Sequence, residues 1–423
     1  MVVDAERPPL PDDLGRRPGD RMTATATATR RRLGIGTVGL GWMGQAHSRS
    51  FRRIPALFPD RTYEPELVVC ADPVAERREW AVSGFGFASA TDDWRRVVDD
   101  SAVDVVVITA PNMLHVDIAV AAAAAGKAVF CEKPVGGTPA QARTAAHAAA
   151  AAGVTTGVGY NYRWAPLVQH AAELIRSGRI GTVTNYRGRF LSCYGADPLG
   201  SLSWRYLVDE GGYGVTSDLL SHTIDLAHFL VGPITEVVGL GETFVRERPL
   251  PALAGLRGRG TQSGTHYDRG VAGGPTGAVT NEDWFGAIAR FESGAVGTFE
   301  TSRTMVGPES QNAFEVHGTG GSLAWNLERM NELQVYLADS PATGYTTVFG
   351  GEAYGHHGAF VPGRANPIGF EDLVTIEDHH FATAVAAGAP FDPGFDAAVA
   401  YVDVQEALLH SWDTRTWEKV TTT

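Results

Sequence analysis

A chain of 423 residues, 44% apolar and 20% charged, is globular and long enough to bury the cores of two domains. Its formal charge of −13 argues against nucleic acid or an anionic membrane as partner, since both reward basic patches, and leaves a small neutral substrate easier to accommodate. Three cysteines without CxxC spacing are too few for a disulfide framework and give no metal-site pattern; no metal is expected, and a reducing cytoplasm fits best.

Residues 1–31 mix charge, proline and a Thr-Ala repeat without periodicity, which predicts a disordered tail, with Met22 as an alternative start. The segment "RRRLGIGTVGLGWMGQAHS" could pass for a twin-arginine export signal, but cleavage there would remove the best cofactor motif in the chain. No apolar run approaches the roughly 18 residues that a membrane span requires.

From residue 32 to 160, short apolar runs alternate with helix-length segments such as 116–125 and 139–152. The runs are "LGIGTV", "ELVVCA", "VDVVVITA", "KAVFCE" and "GVTTGVGY", with "FGFAS" as a shorter candidate. This alternation predicts βαβ units and an α/β domain with a parallel sheet, whose strands are apolar throughout because both faces are covered. From 161 to 423 the pattern changes. A helix in "PLVQHAAELIRSG" is followed by "TVTNYRGRFLS", "ITEVVGLGETFV", "DWFGAIARFES", "AVGTFETSRTM", "NAFEVHGT" and "ELQVYLA", with hairpin chemistry at "ESGA" and "GTGGS". These predict an α+β domain built on a large, mostly antiparallel open sheet. The stretch 246–281, rich in Gly, Pro and Arg, reads as a long loop serving as a lid, a subunit contact or a disordered insert; 339–370 is similar, and two helices near 371–388 and 394–411 close the chain.

Chemistry-bearing residues cluster where the first set of strands ends. "GLGWMG" spaces Gly39, Gly41 and Gly44 as GxGxxG around Trp42 and Met43, which suits a tight turn, close approach of a pyrophosphate and close helix packing; an ordinary glycine turn is the alternative. Asp72 follows the next strand, where a carboxylate can accept from ribose hydroxyls or cap a helix. It favours NAD, while the nearby Arg77 and Arg78 leave NADP open. Further strand ends carry Pro111, Asn112 and His115, then Glu132, Lys133 and Pro134, then Tyr160, Asn161, Tyr162 and Arg163. Singly, Lys133 reads as a solvated surface lysine and His115 as a helix-start residue; together they mark the ligand side of an open α/β sheet. In "VTSDLLSHTIDLAHFL", residues 215–230, helical spacing places Asp218, His222 and Asp225 in one stripe about 60° wide, facing either water or a cleft.

The motifs "GLGWMGQAHS", "APNMLH", "CEKP", "GYNYRWAP", "SWR", "GGYGVTSDLLSHTIDLAHFLVG" and "VHGTGGSLAW" resemble, in order and spacing, the glucose–fructose oxidoreductase / inositol dehydrogenase (Gfo/Idh/MocA) family, over residues 32–415. The resemblance implies a doubly wound Rossmann domain, a sheet domain that also builds a homodimer or homotetramer, and NAD(P)-dependent oxidation of a sugar or polyol hydroxyl. Carried over by motif, Lys133, Asp218 and His222 would be catalytic, and Asn161 and Arg163 would lie near the nicotinamide. Tyr160, Trp204 and Arg205 would join those three around the substrate. His222 would take the alcohol proton, Lys133 would stabilise developing alkoxide, and Asp218 would orient the histidine or grip a neighbouring hydroxyl, with Asp225 structural. Two departures stand out: Ala110 replaces a common threonine, with Thr109 one position earlier, and Gly34 and Gly36 weaken the first strand. "RGRFLSCYGADPLGSLSWR" most resembles members acting on glycosides or anhydrosugars such as levoglucosan. Redox-assisted epimerisation or cleavage with recycled NAD, and a non-catalytic sugar or nucleotide sensor, are the competing functions.

Overall fold

The computed structural model describes residues 30–251 and 269–422, so the expected disordered tail up to residue 29 and the loop centre 252–268 lie outside the described residues. Six short apolar runs form a parallel sheet: β1 (Arg31–Val38), β2 (Tyr63–Ala71), β3 (Ser89–Thr91), β4 (Val105–Ile108), β5 (Ala128–Cys131) and β6 (Thr156–Val158). Their spatial order is β3-β2-β1-β4-β5-β6, with the chain reversing direction of travel between β1 and β4, which opens a crevice beyond their carboxyl ends. Gly34 and Gly36 do not interrupt β1; a Cβ would lie 1.9 Å from the Ala102 carbonyl oxygen at the first and 2.6 Å from Val97 Cγ1 at the second, so close packing requires glycine there. The aromatic run "FGFAS" is not itself the third strand. Phe85 and Phe87 are buried in a small core with Leu40 and Cys70, and pairing starts only at Ser89.

Helices α1 (Trp42–Leu57), α2 (His115–Ala124) and α3 (Pro139–Ala152) cover this sheet. Beyond α4 (Pro166–Arg176), the alternating segments form a nine-stranded sheet in the order β16-β15-β14-β13-β7-β12-β11-β8-β17. Its strands are β7 (Val183–Ser192), β8 (Ile234–Glu242), β11 (Trp284–Phe291), β12 (Val296–Ser302), β13 (Ser310–Gly318), β14 (Gly321–Asn326), β15 (Glu332–Leu337), β16 (Thr346–Phe349) and β17 (Glu418–Lys419). All its pairings are antiparallel except β7 with β12. The described ends of the long loop form a small hairpin, β9 (Glu247–Pro249) with β10 (Thr276–Ala278).

Alternation along β11 and β13 puts Phe285, Ala287, Phe314 and Val316 on a face covered by α4 and by α5 (Ser221–Leu230). The two closing helices divide their packing. From α6 (Phe370–Ala387), Phe381, Ala382 and Val385 pack with Leu33, Ile35 and Phe130 of the parallel sheet. From α7 (Phe395–Thr414), Tyr401 and Leu408 enter the core of the second sheet. The C-terminal segment thus ties the two halves together beside the crevice.

Candidate active site

The glycine loop is shaped by three different demands. Gly39 has φ +92°, which glycine adopts freely, and Gly44 packs so tightly that a Cβ would lie 1.9 Å from the Gly39 carbonyl oxygen. Gly41 has no atom within 4 Å of a built Cβ, so this is where a ligand can approach the backbone. No side chain caps the start of α1 at Gly41, so its first N–H groups remain available. Thr109, displaced one residue from the family position, donates its hydroxyl to the Val38 and Gly39 carbonyls and braces the loop from behind. The Asp72 carboxylate accepts from Leu40 N at 2.7 Å and Val74 N at 2.9 Å, pairs with Arg77 at 3.5 Å, and lines the same cavity as Gly41; the short helix Ala75–Trp80 begins at Val74 without a side-chain cap, so Asp72 is not its N-cap.

That cavity has a volume of about 810 Å³ and runs from Asp72 to the large sheet. Gly39, Trp42, Met43, Pro111, Asn112 and His115 line its nucleotide end, and Glu132, Lys133, Asn161, Trp204, Arg205, Asp218 and His222 its far end. Gly44, Tyr160 and Arg163 do not line it. Arg163, expected near the nicotinamide, instead reaches Asp225 through Nε and Nη2 at 2.6–2.9 Å and Asp392 at 3.0 Å. A buried guanidinium needs carboxylates, and Asp225 supplies one; both leave the cavity wall for that reason.

Asp218 and His222 stay on the wall although their helix is not regular. Thr216–Leu220 is a π turn, and only from Ser221 does α-geometry begin. Lys133 Nζ donates to Asp218 Oδ1 at 2.7 Å and to the Asp218 main-chain carbonyl at 2.8 Å, leaving the third ammonium hydrogen for another acceptor. Tyr194 donates to Asp218 Oδ2 at 2.8 Å. Burial opposes the Asp218 charge, but Lys133 and Arg205 together with these hydrogen bonds outweigh it and hold the carboxyl well below its usual range. The carboxylate therefore serves Lys133 and Tyr194, and His222 forms no hydrogen bond among the described residues. Its imidazole rests against Tyr162, with ring centroids 4.6 Å apart. Burial and then the Lys133 charge push its pKa well below 6.5, so it is a neutral base.

Asn161 and Trp204 also line this cavity, but Asn161 Nδ2 and Trp204 Nε1 are themselves buried, with no partner among the described residues. Asn112 Nδ2, by contrast, is bonded to the Gly211 carbonyl, and His115 has its ring nitrogens against the Pro134 and Ala110 carbonyls.

Residues 33–160 match the family model described as the oxidoreductase family, NAD-binding Rossmann fold, and residues 168–324 match the Gfo/Idh/MocA C-terminal domain. A levoglucosan dehydrogenase of Pseudarthrobacter phenanthrenivorans is 36% identical over 390 residues, covering 92% of this chain and 98% of that protein. The chain belongs to the Gfo/Idh/MocA family. Solved structures of levoglucosan dehydrogenase superpose along nearly the whole chain. The complex with NADH gives a TM-score of 0.85 at 34% identity, covering 93% of this chain and all of that one. The complex with NADH and levoglucosan gives 0.84 at 34% identity, covering 92% of this chain and all of that one.

The protein is thus an NAD-binding oxidoreductase of the sugar dehydrogenase type. The residues fit the dinucleotide: an open cradle at Gly41, free N–H groups at α1 and the Asp72 carboxylate suit its phosphates and ribose. Sequence reasoning missed Tyr194, Tyr213, Arg303, Glu309 and Phe370, which also line the cavity. Tyr194 follows the end of β7, and Arg303 and Glu309 flank the turn after β12, so only the pairing of distant strands brings them to Lys133. Among the described residues, no helix is long and apolar enough to cross a membrane.

Proposed function

We propose that this chain oxidises a secondary ring hydroxyl of a neutral sugar, an anhydrosugar or glycoside of the kind its relative acts on. The observation that carries the reading is the far end of the cavity, where Lys133 keeps one unused N–H and the neutral His222 lines the same wall. The chemistry that bound NAD+ supplies is acceptance of hydride from the carbinol carbon. The chain's own residues then deal with the oxygen. Lys133 donates to it and stabilises negative charge as it develops, Asp218 fixes the direction of that ammonium, and His222 receives the hydroxyl proton. Asn161 and Trp204 line the same cavity.

Charge at this end favours a neutral substrate. Lys133 is matched by Asp218, and Arg303 by Asp283 at 2.7 Å. Arg205 lies over Trp204 at 4.2 Å, with Glu309 on the same cavity. A sugar acid would add negative charge to a site where the Lys133 ammonium is already matched by Asp218. Burial of Cys70 and Cys131 as free thiols suits a reducing cytoplasm, and the face of the large sheet that carries the exposed Leu240 and Ile288 suits a homo-oligomer.

The test is to follow NADH formation with purified protein and a panel of anhydrosugars, glycosides, cyclitols and sugar acids. NADH should accumulate with a neutral ring substrate and faster than with any acid. Epimerised or cleaved product formed without net NADH, or preference for an acid, would overturn the reading.

A further inference from the structure

Behind Glu132, which itself lines the cavity, His47 and Asp378 complete a charged cluster that no step above uses. His47 of α1 is fully buried, with its ring edge against Phe130 at 5.1 Å. Its Nδ1 is 2.8 and 3.0 Å from the two oxygens of Asp378 on α6, and its Nε2 is 3.2 Å from Glu132 Oε1 at the end of β5. The second Glu132 oxygen accepts the main-chain N–H of Lys133 at 3.2 Å. A neutral imidazole carries one N–H, whereas this one faces a carboxyl group at each nitrogen; the imidazolium donates to both without either carboxyl having to hold a proton. The Glu132 carboxyl packs directly over Gly159, where a Cβ would lie 2.8 Å from it.

We propose that His47 is a positioning residue. As an imidazolium it clamps Glu132 to Asp378 and so fixes the backbone from which Lys133 reaches the reacting oxygen. The proposal rests on the role given to Lys133 above. The clamp joins three elements remote in sequence: the helix after the glycine loop, the strand carrying the lysine, and the helix returning from the second sheet. Their mutual alignment is what brings Lys133 to Asp218.

The surrounding charges support this state. Burial alone would lower the imidazole pKa, but Asp378 and then Glu132 outweigh it and raise it to about 10. Glu377, next to Asp378 on α6, is buried with neither carboxyl oxygen partnered among the described residues, and burial followed by the charge of Glu132 pushes its pKa well up, so it stays protonated. The carboxyl groups that face the ring are those of Asp378 and Glu132, and the imidazolium donates to both.

The experiment uses the full chain with NAD and whichever sugar the parent oxidises. Asp378→Asn removes one of the two anions that keep the ring charged, so its pKa falls toward the ordinary histidine range. In this variant kcat should remain near the parent value at pH 6 and drop about tenfold or more by pH 9, a misplacement effect absent from the parent, while KM for sugar and Kd for NAD stay within about twofold. His47→Gln should lose kcat at every pH. Histidine-labelled NMR on the parent reads the ring directly, whatever the fate of the variants; a neutral His47 at pH 7 overturns the clamp. Parent-like kcat and pH profiles in both variants, alongside a parent that turns over sugar, overturn the positioning role alone. A parent that oxidises no sugar overturns the dehydrogenase reading and this role with it.

Discussion

At the residue scale, one ammonium group sets the properties of its neighbours. Lys133 spends two hydrogens on Asp218, and its charge helps keep His222 neutral. Lys133→Met should lower kcat by about 100- to 1,000-fold, the cost of removing a donor to a developing oxyanion. It should also raise the His222 pKa, because the nearby positive charge that disfavours imidazolium is gone. The sign is clear for the parent as well. The base is active only when neutral and its pKa lies below 6.5, so kcat/KM for sugar oxidation should be flat from neutral pH downward past 6.5 and fall only in more acid solution. Titration of the histidine signals in the variant and a pH–rate profile of the parent check both statements. An acid limb at or above pH 7 in the parent would assign the proton to another group.

At the scale of elements, the segment 215–230 shows what a helical pattern carries and what it does not. Spacing alone put Asp218 and His222 in one stripe, facing either water or a cleft, and in the structure both line the cavity. It also put Asp225 in the stripe, but that carboxylate turns to Arg163. A π turn at Thr216–Leu220 changes the angular phase ahead of α5, and nothing in "TSDLL" announces it, because such turns are set by packing rather than by propensity. Here Thr216 is engaged by Glu282 and Tyr401, residues that local reading cannot bring to it. The pair Arg163–Asp225 now has a purely structural assignment. Asp225→Asn leaves a buried guanidinium short of charge and should cost about 3–5 kcal/mol of stability. Since neither residue lines the cavity, kcat should hold wherever the variant is folded. Denaturant unfolding alongside turnover separates the two, and a large loss of kcat with unchanged stability would return Arg163 to the active site.

At the scale of the whole molecule, the glycine loop and strand ends were legible because their demands are local: Gly39 needs its positive φ and Gly41 its open space whatever the rest of the chain does. Residues that depend on long-range pairing were not. His47 and Asp378 meet across 331 positions of sequence, so neither carries a local signal of the other. The large sheet poses the remaining question at this scale, because the described residues leave one of its faces uncovered. Along β8 and β11, Leu240 and Ile288 are 46% and 44% exposed on the side away from the buried Val237 and Ala287. The same face carries Arg187 and Arg189 paired with Glu315, a mixture of apolar and matched charged groups that suits a protein surface as partner. A homo-oligomer through this face should have a solution mass of two or four times 45.0 kDa. Ile288→Glu would place two or more like charges at the centre of a symmetric contact, where residues near the axis meet their own copies. Sedimentation should then show a shift to single chains at micromolar concentration, and a parent already monomeric there would leave this sheet face as simple solvated surface.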